Sequence, residues 1–102
     1  MSNRRLELHE ILCEVLGSRN VYFQPPAGVK MTYPAIVYSL SGINNRHAND
    51  SVYMQPHSYT VTLIDKNPDN ETVDKLSLLP KCSFDRPFVA DNLNHYVFTI
   101  YY

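Results

Sequence analysis

The amino-acid sequence predicts an α+β fold in which an antiparallel β-sheet is packed on one face by two helices. Three observations carry this. Leu8, Ile11, Leu12, Val15 and Leu16 recur at helical spacing near the start of the chain. The runs AIVYSLSGI (Ala35 to Ile43), SYTVTLI (Ser58 to Ile64) and HYVFTIYY (His95 to Tyr102) are rich in β-branched and aromatic residues and alternate with the period of a strand. Between the last two runs, Val73, Leu76 and Leu79 repeat at helical spacing. A chain of 102 residues builds one core, which hides only about two-thirds of the unfolded surface, so residues 1–102 are read as a single domain.

Each element has a local reason. The first helix is placed near residues 4 to 16: Ser2 or Asn3 caps its start, and Gly17 supplies the left-handed residue that commonly ends a helix. Val21 to Gln24 reads as a short extended piece, and Pro25-Pro26 after it removes two backbone donors, so the segment up to Pro34 is a connector. In the strand from Ala35, Ile36, Tyr38 and Leu40 share the drier face. Asn44 to His57 is polar and long for a hairpin connection, and is expected to be a loop. Tyr59, Val61 and Leu63 line one side of the next strand. Pro80 stops the second helix, a shorter strand falls at Cys82 to Phe84 or Phe88 to Val89, and the last strand runs to Tyr102.

The acidic stretch DKNPDNETVDKL, Asp65 to Leu76, invites a calcium reading. Asp65, Asn67 and Asp69 would fill the first, third and fifth places of an EF-hand loop. The sixth place needs Gly and the twelfth a bidentate Glu, yet these hold Asn70 and Leu76, and a strand rather than a helix leads in. A turn into a helix accounts for every residue. Asn67 caps, Pro68 takes the first helical position, and Asp69 and Glu71 face the positive end of the helix dipole.

Other chemistry finds no pattern to rest on. The net charge is −1 with cations scattered among acids, whereas a nucleic-acid surface clusters them to release counterions together. Direct sequence-specific nucleic-acid binding is not expected. Cys13 and Cys82 form no C-x-x-C pair and read as small buried hydrophobes. No two of His9, His47, His57 and His95 have metal-pair spacing, since Cys13 stands where H-E-x-x-H needs its second His. Gly17, Gly28 and Gly42 stand alone, so there is no phosphate loop and no G-x-S-x-G elbow. No catalytic residue, cofactor or metal is therefore expected. The only candidate base is His95, in reach of Asp91 along the chain. No stretch approaches the roughly 18 apolar residues of a membrane span, and MSNRRLELHE lacks the apolar core of a secretory signal.

What the composition favours is contact. Eight Tyr and no Trp, several on strands, suit either a half-exposed strand face or a surface where protein meets protein. The segments VYFQPPAGVKMTYPAIVY, YTVTLIDKNPDN and LPKCSFDRPFVADNLNHYVFTIYY, in that order, resemble the small tail-completion proteins of long-tailed phages and prophages of Gram-positive bacteria, and within these the tail terminator group. The likeness spans most of residues 18 to 102 and rests on sequence texture and order. It implies a compact α+β subunit that assembles with itself into a ring, usually a hexamer, capping the tail tube, ending its polymerisation and joining it to the head connector. The partners it implies are further copies, the tail tube protein and the neck proteins. The location it implies is the virion tail or neck, with the host cytoplasm during assembly. A head-closure or adaptor protein of the neck, or a monomeric binding module, is the alternative.

A closed head-to-tail ring needs two different complementary patches on each subunit. One is expected on an aromatic sheet edge, with Tyr96, Phe98, Tyr101 and Tyr102 as interface residues. The other is expected on the polar loop, with His47 and Tyr53.

Overall fold

The computed structural model describes residues 4–43 and 57–102. Helix α1 spans Arg4–Leu16 and ends where expected. Gly17 adopts φ 84°, and its amide bonds to the Cys13 carbonyl at 2.8 Å, which satisfies one of the helix's last acceptors. The strands are β1 (Val21–Phe23), β2 (Ala35–Ile43), β3 (His57–Asp65), β4 (Cys82–Ala90) and β5 (Leu93–Tyr101), with the short helix α2 (Thr72–Ser77) between β3 and β4. They form one sheet in the order β1-β2-β3-β5-β4.

The sheet is antiparallel except at one side, where β1 runs parallel to β2 with Val21 opposite Ile36. The Pro-rich connector carries the chain back across so that this parallel pairing forms. Gln24, at φ 43°, bonds through its amide to the Tyr38 carbonyl, and its side-chain oxygen accepts from the Leu40 amide. The connector thus continues as a ladder along the outside of β2.

Register places the apolar rows of the strands on one face. Ile36 lies opposite Leu63, Tyr38 opposite Val61, Leu63 opposite Tyr96, Val61 opposite Phe98, and Tyr59 opposite Ile100. Leu8, Leu12 and Cys13 of α1 and Leu76 of α2 close over this row, and Tyr38, Phe98, Leu8, Leu12, Ile36, Leu63 and Leu76 are fully buried. The opposite face carries Val37, Ser39, Thr60, Thr62 and Thr99 by the same alternation. No described helix lies on it. Two helices on one face of a mostly antiparallel sheet is the α+β arrangement read from the sequence.

The lead into α2 departs from expectation in detail. Asn67 accepts from the Asp69 amide at 3.0 Å and so closes a turn rather than the helix. α2 begins later, at Thr72, and Asn70 accepts from the Thr72 amide at 2.8 Å while its own amide donates to the buried Asp65 carboxylate at 2.6 Å. Asp65 ends a central strand, so bonding it internally is what makes its burial tolerable. Pro68 therefore sits in the turn, where its carbonyl accepts from the Tyr96 hydroxyl at 2.7 Å.

Candidate assembly surface

The expected aromatic edge is not an edge. β5 lies between β3 and β4, and the sheet ends at β4, a continuous nine-residue strand. Residues 82–90 read as fragments in the sequence because Asp85, Arg86 and Pro87 interrupt the alternation. The structure absorbs the interruption as a bulge between Phe84 and Arg86, which lets one extra residue pass while the pairing with β5 resumes. Phe98 consequently lies at 0% exposure in the core, edge-on to Phe84 with ring centroids 5.3 Å apart, and is unavailable to a partner.

The other expected contact residues divide. Tyr96 is half-buried and spends its hydroxyl on Pro68. Tyr101 is exposed at the end of β5. Tyr102 is half-buried: its hydroxyl donates to the Glu7 carboxylate at 3.2 Å, and Arg4 lies over its ring at 5.3 Å and donates to its backbone oxygen at 3.2 Å. His47 and Tyr53, with the loop that carries them, lie outside the described residues.

Exposed apolar side chains stand instead along both faces of β4 and on the turn before it. Phe84 is 48% exposed, Phe88 42% and Val89 70%, and Leu78 stands out from the turn after α2. The sequence held one signal for this, since a Pro inside a strand pattern marks an edge.

At one end of the β4–β5 pair, Asp91 (φ 53°) and Asn92 (φ 63°) form a two-residue turn with both residues left-handed, the geometry that fits the twist of a tight hairpin. Beside it Phe88 stacks on His95 at 4.5 Å and 13°. At the other end, a cleft of about 250 Å³ opens between α1, the α2–β4 turn and the close of β5. It is walled by Ile11, Leu79, Pro80 and Ile100, with Arg4 and Lys81 among its lining residues.

The titratable groups sit in settings that explain their protonation. Tyr38, at 1% exposure, is the hub of a chain running from α1 into the sheet. Arg5 donates to its oxygen at 3.3 Å, and its hydroxyl lies 2.8 Å from His9 Nδ1. Arg5 can only donate, so the pocket is fully satisfied when the hydroxyl proton goes to Nδ1 and His9 carries its proton on Nε2. Burial is the main cause that pushes the Tyr38 hydroxyl up. Burial, then the Arg19 and Arg5 cations, hold His9 below the usual imidazole range, against a smaller opposing pull from Glu10. Burial pushes the Cys82 thiol up to about 11 and also raises Cys13. Both cysteines are unpaired, and both pack in or against the core as small hydrophobes.

His95, the candidate base, places Nδ1 3.1 Å from the Leu93 carbonyl and its face on Phe88, while Asp91 belongs to the turn. Its ring serves as a packing plate. Among the described residues no three His, Cys, Asp or Glu side chains come together as a metal site. No helix of the described residues is long and apolar enough to cross a membrane. No family model matches the chain, and comparison with curated proteins and with solved structures gives no match.

Proposed function

We propose that this chain is a structural subunit of a long-tailed phage, of the tail terminator kind. It assembles with itself into a ring on the end of the tail tube, stops tube growth and presents a surface to the neck proteins below the capsid. The observation that supports this reading is the set of apolar side chains on β4 and at its end, Phe84, Phe88 and Val89, exposed on a strand that closes one side of the sheet. Phe84 and Val89 stand on one face of the strand and Phe88 on the other, so both sides of β4 offer apolar surface, which suits contact with protein.

The test is to polymerise tail tube protein with and without this chain and to view the products by electron microscopy. With the chain, tubes end in a ring and stop growing, and capped tails join to heads. Tubes of unchanged length with bare ends, and tails that join heads equally well without the chain, would overturn the proposal.

A further inference from the structure

We infer that the subunits join head to tail, the β4–β5 hairpin tip of one copy seating Val89 and Phe88 in the cleft of the next, with Asp91 against Lys81. The inference rests on the ring reading above and names the contact that builds the ring.

Four observations converge on it. First, tip and cleft lie at opposite ends of the same strand pair. Lys81 directly precedes β4 and Tyr102 directly follows β5, whereas Asp91 and Asn92 join the two strands at their far end. Nine residues per strand separate them by about 30 Å. A subunit with a plug at one end and a socket at the other makes a heterologous contact, which generates a ring when its rotation closes.

Second, the surfaces match in character. The tip offers Val89 on one face of the hairpin and Phe88 on the other, so that inserted end-on it is apolar on both sides, and the cleft is walled by Ile11, Leu79, Pro80 and Ile100. Third, the charges match. Asp91 is the acid at the tip and Lys81 an exposed cation at the cleft, and neither is in a salt bridge with another described residue. Fourth, the plug is rigid before it docks. A two-residue turn with both φ positive and the Phe88–His95 stack fix the tip, so little freedom is lost on seating.

Pairing of sheet edges is disfavoured by the sequence of β4 itself. The pairing of Ala90 with Leu93 around a two-residue turn is hydrogen-bonded, and alternation back along the ladder leaves Pro87 opposite Tyr96 in a non-bonded pair. The nitrogen of Pro87 therefore faces the open edge, where a docking strand would need a donor.

Sedimentation velocity at matched concentrations tests the inference, with circular dichroism confirming that each variant is folded. Wild type assembles. Val89→Glu, on a side chain 70% exposed, keeps the fold and sediments as a monomer. Asp91→Asn and Lys81→Asn weaken association by about two- to fivefold, the range of an exposed ion pair. Both substitutions suit the left-handed backbone at these positions. Asp91→Lys and Lys81→Asp each associate poorly alone, and an equimolar mixture recovers assembly, because alternating copies restore every opposite-charge contact.

That mutual rescue decides the matter even if Val89→Glu misfolds. Assembly of wild type together with unimpaired assembly of all these variants would overturn the tip-in-cleft contact and leave the ring standing. A wild type that stays monomeric, alone and with tail tube protein, would overturn both.

Discussion

Replacing Tyr38 with Phe isolates what the hydroxyl at the α1–sheet interface contributes. The ring is held independently of it, against Phe23 at 4.9 Å and Tyr59 at 6.0 Å, so Phe fills the same space. Two hydrogen bonds are lost, the short one to His9 and the long one from Arg5. A net hydrogen bond contributes about 1 kcal/mol, and a 3.3 Å contact falls short of ideal geometry. His9 and Arg5 are half-buried, so each can recover part of its loss from water. Arg5 also keeps its seat over the Phe23 ring at 4.4 Å. The expected loss is therefore about 1.5 kcal/mol, well below the 3–5 kcal/mol that truncating the whole ring would cost.

In a domain of this size that loss lowers Tm by about 6–12 °C. The assay is urea unfolding followed by circular dichroism in a Val89→Glu background, so that apparent stability does not depend on concentration through the proposed self-association. The midpoint should fall with the slope unchanged. A loss under about 0.3 kcal/mol would mean that the Arg5–Tyr38–His9 chain contributes nothing net. A loss above about 3 kcal/mol would mean that the substitution disturbs ring packing. Either result refutes the reasoning.

Two further outcomes are expected. Because His9 titrates below its ordinary value of 6.5 when folded, the unfolded chain binds the extra proton first as pH falls. The contribution of neutral His9 is full above about pH 6.5 and is lost as pH drops from there through the folded value. Urea midpoints of wild type should thus decline relative to His9→Gln between pH 7.5 and 5, and parallel profiles would remove His9 as the cause. Pro87→Val gives β4 an outward N–H and a better strand former, so monomer stability should change by less than about 0.5 kcal/mol while concentrated solutions form sheet-paired aggregates. Light scattering that stays at the wild-type level would show that Pro87 does not guard the edge.

Much of the fold was legible because local signals agreed with the tertiary answer. α1 is bounded by a glycine that needs its left-handed φ, and the middle of β2 (Ile36 to Ser39) and of β3 (Tyr59 to Leu63) alternates because the helices cover one face there. Legibility failed where a residue's role depends on its neighbour in space. HYVFTIYY reads in the sequence as an aromatic sheet edge. It is central because CSFDRPFVA, broken by charge and proline, pairs outside it. The same residues that hid β4 as a strand are the ones that let it tolerate its position. Likewise the sequence reads Asn67 as the cap of the second helix, yet α2 starts at Thr72, and Asn70 is drawn into the turn before it by the buried Asp65 at the end of β3.

A long strand at the side of a sheet is a template for uncontrolled pairing. A bulge, an adjacent Asp85–Arg86 ion pair and an outward-facing proline nitrogen make that edge a poor template. Apolar side chains nonetheless remain exposed along β4 and at its tip. Blocking the backbone route while leaving the side-chain route open directs association to contacts whose geometry is set by side-chain fit. Such a fit fixes the angle between successive copies, and that angle determines whether a head-to-tail series closes into a ring or runs on as a filament.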